Sequence, residues 1–285
     1  MSLIDWSQRP YALVTGASEG IGEELALALA RRGTHSLILV ARTRSKLERV
    51  ERRIREACVS LGHTEVDVKI ICEDLSATGA AEKVFQATKG LPVAILANNA
   101  GMAIGGPTDN LELAKVEQIL QLNIVTLTLL VQLYTQTLVD AAAYYRARQH
   151  LYGKHRMAGI VNMSSLSALM PIPHMSLYAA SKAYVLSLTE ALHHEHQMHN
   201  TGLAVVAILP GATVSPIWAK EGADPSKVLL PFTTMDDVVR ATLKALDSNK
   251  AVIVPGYLNN VLSFSVRLAP RWLVRRLAYI FMRQG

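Results

Sequence analysis

The sequence predicts an α/β protein, a single domain doubly wound around a seven-stranded parallel sheet, with an amphipathic C-terminal tail. Two observations carry this. Seven short apolar runs recur along the chain, each separated from the next by a stretch of helix length, and near-continuous apolar strands alternating with helices are the mark of a parallel sheet covered on both faces. No Pro/Gly/Ser-rich linker, repeat or low-complexity tract divides residues 1–255, so they read as one domain and 256–285 as an extension.

Composition agrees with a packed core. Of 285 residues, 50% are hydrophobic and 18% charged, which excludes disorder. No uninterrupted apolar run reaches 18 residues, and the opening "MSLIDWSQRP" lacks the basic-then-apolar order of a signal peptide, so the expected location is cytoplasmic. Cys58 and Cys72 have neither CxxC nor metal-finger spacing and read as packing residues. The net charge of +6 is concentrated in the tail, where Arg267, Arg271, Arg275, Arg276 and Arg283 stand with no acidic residue between 256 and 285. A main body that is nearly neutral argues against a nucleic-acid partner.

Taken in order, the first strand is "YALVT" (11–15), followed by "TGASEGIG" and the helical "EELALALARRG". Gly16, Gly20 and Gly22 stand where backbone N–H groups must approach a pyrophosphate at a helix N-terminus. Their spacing is G-x-x-x-G-x-G, and its place between a first strand and a first helix marks a dinucleotide-binding, Rossmann-type loop. The second strand, "SLILVA" (36–41), ends at Ala41, where an acid would otherwise select a free ribose 2′-OH; Arg42 and Arg44 follow. Guanidinium groups pair with a 2′-phosphate, so the predicted cofactor is NADP(H), with NADPH preferred over NADH. The alternative use of these arginines is pairing with Glu48 and Glu51.

The third strand, "VDVKIIC" (66–72), is followed by Asp74 and Leu75, and the fourth, "VAILA" (93–97), by "NNAG". A long apolar helix containing "QLNIVT" comes next, expected in the core or at a subunit contact. Residues 140–157 lengthen the following connection beyond its usual few residues. The fifth strand, "GIVNMS" (159–164), leads to Ser164 and Ser165, and "SLYAASKAYVLSL" (176–188) reads as a helix. There Tyr178 and Lys182 are four apart, about one helical turn, which sets ammonium beside phenol. His193, His194, His196 and His199 follow and read as a solvated helix end, not a metal site. The sixth strand is "LAVVAIL" (203–209), followed by "PGATVS", and the seventh is "AVIVP" (251–255).

With TGASEGIG, NNAG and Y-A-A-S-K in that order, the sequence resembles the short-chain dehydrogenase/reductase family over about residues 10–255. The resemblance implies that Gly16, Ser18, Gly20, Ile21 and Gly22 bind the cofactor phosphates, that Asp74 and Leu75 contact adenine, and that Asn99 lies beside a cofactor ribose. It also implies a catalytic tetrad. Asn123 matches the family's helix-four asparagine, Ser165 lies 13 residues before Tyr178 as the family's serine does, and Tyr178 and Lys182 complete the set. Thr213 matches a nicotinamide contact, although Thr213–Ser215 depart from the family's commoner valine/threonine pattern.

These residue types suit carbonyl reduction. A free phenol, with pKa about 10, is a poor acid–base group near neutrality, and a neighbouring ammonium and oxidised nicotinamide favour its phenolate. Ser165 would hold the substrate oxygen, Lys182 the nicotinamide ribose, and Asn123 a water in the proton relay. The expected activity is NADP(H)-dependent interconversion of a hydrophobic ketone and a secondary alcohol. Apolar Ile217, Trp218, Val228, Leu229, Leu230 and Phe232 after the sixth strand favour such a substrate. A non-catalytic nucleotide sensor or scaffold on the same fold is the alternative. A homodimer or homotetramer is expected. If 271–283 form a helix, Leu273, Leu277, Ile280 and Phe281 make one apolar stripe, for which packing over the pocket or within an oligomer ranks above peripheral contact with an anionic membrane.

Overall fold

In the computed structural model, which describes residues 4–153, 155, 157–213 and 233–283, the chain winds outward from β1 (Tyr11–Thr15) through β2 (Ser36–Ala41) to β3 (Val68–Cys72). It then restarts on the other side of β1 with β4 (Val93–Asn98), β5 (Gly159–Met163), β6 (Ala204–Ile208) and β7 (Val252–Ile253). The sheet order is β3-β2-β1-β4-β5-β6-β7 and every pairing is parallel. The reversal of direction between β1 and β4 opens a crevice at the carboxyl ends of the strands, where α/β sheets bind their ligands.

Successive strand residues point to opposite faces, so each strand feeds two cores. Ala12 and Val14 of β1, with Leu37 and Leu39 of β2, pack under α1 (Gly20–Arg31), α2 (Arg44–Ser60) and α7 (Met235–Ser248). Leu13, Ile38 and Val40 face the other way. They pack under α3 (Ala80–Ala87), α5 (Leu127–Arg146) and α6 (Ser176–Met198). Full burial of one such leucine or isoleucine stabilises the fold by about 1.5–3 kcal/mol.

Two strands are shorter than their apolar runs. The run at 66–72 pairs with β2 only from Val68, and β7, at the sheet edge, is held by β6 alone through Val252 and Ile253. Cys58 is buried as expected, whereas Cys72 is exposed at the end of β3, its thiol donating to the Arg42 carbonyl at 3.0 Å.

The helix between β4 and β5 is one continuous stretch, Leu113–Arg146, long and apolar enough by composition to cross a bilayer. Here it packs on the sheet, burying Leu130, Val131, Tyr134 and Leu138. Between α4 (Leu113–Leu120) and α5, residues Gln121–Thr126 form a π-helical turn. The lengthened connection has a packing partner: Tyr145 stacks edge-on against Tyr144, Tyr152 and Trp6, which ties the N-terminal segment to the end of α5.

The tail forms α8 (Tyr257–Leu268) and α9 (Arg271–Arg283). The expected stripe, of which the Phe281 side chain lies outside what the structure describes, is not the buried one. Val274 and Ala278 face inward, while Leu277 and Ile280 are each 46% exposed.

Candidate active site

The end of β1 turns into α1 through Gly16 and Gly20, both at positive φ (64° and 62°), which favours glycine. Gly22 has a different reason. A Cβ there would lie 2.3 Å from the Gly16 carbonyl oxygen and 2.4 Å from Asn99 Nδ2. Asn99 holds the loop from the far side, its side chain donating to the carbonyls of Thr15 (3.1 Å) and Gly16 (3.3 Å). Thr15 Oγ1 accepts from the amides of Asn99 and Ala100, both at 3.0 Å, which locks β1 to the turn after β4.

No side chain caps the first amides of α1. Uncapped N–H groups at a helix N-terminus, beside a loop with no room for Cβ atoms, are a cradle for a pyrophosphate. Ser18 and Ile21 lie on this loop, half-buried. Behind it, Glu23 is buried and receives two hydrogen bonds from Arg49 (2.8 and 2.7 Å) and one from Arg53, while Arg49 also donates to the Ser18 carbonyl at 3.0 Å. This brace from α2 is an addition of the structure, since no role for Arg49 or Arg53 is expected from the sequence.

At the end of β2, Arg42 is exposed and has no ion-pair partner among the described residues. Arg44 stands 4.0 Å from Glu48, and Glu51 is taken by Arg55. Pairing within α2 therefore accounts for Arg44 and leaves Arg42 available. Past β3, Asp74 Oδ1 accepts from the amide and hydroxyl of Ser76 (3.0 and 2.8 Å), while Leu75 is buried and its carbonyl accepts from Thr126 Oγ1 at 2.8 Å.

The four expected tetrad residues lie on three elements: Asn123 in the π-helical turn before α5, Ser165 just past β5, and Tyr178 and Lys182 in the first two turns of α6. Lys182 is buried, and its ammonium donates to the Met163 carbonyl at 2.8 Å, lying 5.7 Å from the centroid of the Tyr178 ring. Burial pulls the Lys182 ammonium down to about 8. Asn123 lies in the π-helical turn, which presents its side chain to the turn after β4. Its Oδ1 accepts from the Met102 amide at 3.0 Å, and its Nδ2 donates to the Met102 carbonyl (2.8 Å) and to Ser181 Oγ (3.0 Å). A Cβ on Gly101 would come within 3.2 Å of Lys182 Nζ and 3.4 Å of Asn123 Oδ1, so Gly101 marks the space the two share.

The two candidate serines separate cleanly. Ser164 is buried and donates to the Lys182 carbonyl at 2.8 Å, which makes it a strut between β5 and α6. Ser165 is half-buried, and its oxygen accepts from the Ser167 amide at 3.2 Å, so its O–H remains a donor.

A match to the profile of the short chain dehydrogenase family spans residues 10–226. The chain belongs to the short-chain dehydrogenase/reductase family. Over 249 residues it is 30% identical to the 7beta-hydroxysteroid dehydrogenase of Clostridium sardiniense, covering 87% of this chain and 86% of that one. Among solved structures it superimposes on a short-chain dehydrogenase from Sphingobium yanoikuyae in complex with NADPH, at a TM-score of 0.75 and 30% identity, covering 93% of this chain and 94% of that one. It also matches the bulky-bulky ketone specific alcohol dehydrogenase of Comamonas testosteroni, at a TM-score of 0.68 and 28% identity, over 91% and 93% of the two chains. As a member of the family, the protein is an oxidoreductase with a nicotinamide nucleotide as cofactor.

Two parts of the expected site remain. Thr213 is buried, donates to the Gly211 carbonyl at 3.1 Å and forms a parallel bridge with Thr233. Ile217, Trp218, Val228, Leu229, Leu230 and Phe232 lie outside the described residues. The structure adds Asn259 of α8, 2% exposed, whose Nδ2 donates to Thr233 Oγ1 at 2.7 Å and to the Pro255 carbonyl at 2.8 Å. Nothing in the sequence singles it out except its position three residues after Gly256.

Proposed function

We propose that the protein is an NADP(H)-dependent oxidoreductase that interconverts a hydrophobic ketone and a secondary alcohol. The observation that carries this reading is the buried Lys182 ammonium held by the Met163 carbonyl beside the Tyr178 ring, with Ser165 at the end of the adjoining strand. The cofactor supplies or accepts the hydride when bound. Gly16, Ser18, Gly20, Ile21 and Gly22 cradle its phosphates, Asp74 and Leu75 border its adenine, Asn99 its ribose, Thr213 its carboxamide, and Arg42 takes the 2′-phosphate.

Tyr178 exchanges the proton with the substrate oxygen, in either direction. The adjacent Lys182 ammonium stabilises negative charge left on the phenolic oxygen, while the Ser165 hydroxyl donates to the same substrate oxygen and stabilises charge building there. Asn123 fixes the turn after β4 through both atoms of its amide and so keeps Gly101 beside Lys182, leaving room for a water that returns protons to the lysine.

The names of the similar proteins support a bulky apolar carbonyl, since one acts on a hydroxysteroid and another on bulky-bulky ketones. The unbridged Cys58 and Cys72 fit a cytoplasmic location. Exposed Leu120, Val125 and Tyr184 on α4, the π-helical turn and α6 fit a face for a second subunit, as a homodimer or homotetramer would need.

The test is NADPH consumption against a panel of steroid, 3-oxoacyl and diaryl ketones, run in parallel with Tyr178→Phe. Turnover of at least one bulky ketone is expected, with loss of most of it in the variant and little change in NADPH binding. Turnover in Tyr178→Phe within tenfold of the parent would overturn the assignment of the acid.

A further inference from the structure

We infer that α8 and α9 together form a docking surface for an anionic lipid bilayer, and that docking sets the mouth of the substrate site against the membrane. The first part stands on the tail alone. The second rests on the proposed apolar carbonyl substrate.

On α8, Tyr257, Val261, Phe264 and Leu268 recur at steps of four, three and four, so they share one side of the helix. They are 82%, 47%, 65% and 71% exposed, while Asn259, on the opposite side, is buried. On α9, Trp272, Leu277 and Ile280 are 59%, 46% and 46% exposed, and Val274 and Ala278 are the residues that hold the helix to the body. Two consecutive helices therefore present their larger apolar side chains outward. Large apolar side chains exposed on two consecutive helices of a folded chain mark a contact site.

The charge around the patch identifies the partner. Arg267, Arg271, Arg275 and Arg276 are exposed, and residues 256–285 contain no Asp or Glu. A second copy docking through this surface would bring the patch against itself about a two-fold axis, facing arginine with arginine and offering no Asp or Glu side chain from 256–285. Lipid phosphates supply the missing sign, acyl chains accept the Phe264 and Leu268 side chains, and the rings of Tyr257 and Trp272 suit the interface between the two.

The surface also adjoins the site. The Tyr279 ring of α9 lies 5.7 Å from the His174 ring, centroid to centroid. His174 belongs to the turn that opens α6, one helical turn before Tyr178, and its carbonyl accepts from the Gly106 amide at 2.7 Å in the segment after β4. An apolar ketone dissolved in the bilayer would reach the crevice across this edge without passing through bulk water.

Co-sedimentation of the full chain with phosphatidylcholine vesicles, and with vesicles enriched in phosphatidylglycerol, tests the first part without reference to activity. Binding to the anionic vesicles, weakened by salt, is expected. It should fall roughly tenfold both in Phe264→Ser/Leu268→Ser and in Arg275→Gln/Arg276→Gln, with melting temperature and turnover of a water-soluble ketone unchanged. Sedimentation that is absent, or equal for both vesicles, would overturn the proposal. So would variants that change the oligomer on sizing chromatography while vesicle binding persists. For the second part, turnover of a bilayer-dissolved ketone by the parent should exceed that by the variants. Equal turnover would separate docking from substrate delivery and remove that clause.

Discussion

The Lys182 ammonium donates to the carbonyl of Met163, the last residue of β5, at 2.8 Å from a position that is 5% exposed. One neutral acceptor does not replace the water that burial removes, and the ammonium is pulled from 10.5 down to about 8. A lysine whose folded pKa is lowered opposes folding while it must be charged. The penalty is full below pH 8, fades between 8 and 10.5, and is gone above, where both states are neutral. Its size is about 3 kcal/mol, partly offset by about 1 kcal/mol for the hydrogen bond. Cofactor-free Lys182→Met should therefore be more stable than the parent at pH 7 by roughly 1–2 kcal/mol, and lose that advantage as pH rises through 8–10.5. Paired thermal melts across that range check it. A difference that does not move with pH would mean the ammonium is solvated.

Ser164 and Ser165 should fail in opposite ways. Removing the Ser164 hydroxyl breaks the strut to the Lys182 carbonyl, so Ser164→Ala should lower stability by about 1–2 kcal/mol and leave turnover within a few-fold. Ser165→Ala loses a half-buried cap to the Ser167 amide, worth about 1 kcal/mol, but should lower kcat by roughly a hundredfold or more. Urea unfolding and ketone kinetics on both variants separate the two roles; the reverse pattern would move the assignment to Ser164.

These two serines illustrate what the sequence could not resolve. Family spacing singles out Ser165, but the reason Ser164 is unsuitable, its bond to the Lys182 carbonyl of the helix packed beside it, exists only in three dimensions. The seven strands were legible because near-continuous runs such as "SLILVA" leave no polar face and must be covered twice. Their ends were not, because pairing length at an edge such as β7 depends on the neighbour. In the tail the helix itself was readable, yet its phase was not. With apolar residues on nearly every side of 272–280, periodicity fits the Leu273–Leu277 row and the Val274–Ala278 row alike, and packing chose the second. Asn259 gave almost no signal beyond its place three residues after Gly256, since asparagines near a helix start are ordinary.

Arg42 should govern the choice between NADPH and NADH. It is exposed and has no ion-pair partner among the described residues, so its loss costs the fold nothing. A guanidinium–phosphate contact contributes about 1.5–3 kcal/mol, or roughly ten- to a hundredfold in affinity. Calorimetric titration of Arg42→Ala should show that fall for NADPH and little change for NADH, whereas Arg44→Ala, which loses only a 4.0 Å exposed pair with Glu48, should alter neither by much. A variant that binds both cofactors as the parent does would show that Arg42 does not reach the 2′-phosphate.

Asn259 should act on substrate binding from a distance. Its side-chain amide ties the Thr233 hydroxyl to the Pro255 carbonyl, and Thr233 in turn bridges Thr213, so one buried side chain fastens the two residues that bracket 214–232. It is wedged in place from the other side. A Cβ on Gly211 would lie 2.6 Å from both its Oδ1 and its Nδ2, and the two hydrogen bonds leave it little room to shift. Asn259→Asp keeps the shape and loses both donated bonds, so it should cost about 1–3 kcal/mol of stability and raise KM for a bulky ketone roughly tenfold or more, with kcat less affected. Gly211→Ala, which removes no hydrogen-bonding group, should reproduce the same KM effect by displacing Asn259. Steady-state kinetics on both variants, below their melting temperatures, distinguish positioning from plain support. If both lower the melting temperature while KM stays at the parental value, Asn259 only stabilises α8 and has no hold on the substrate.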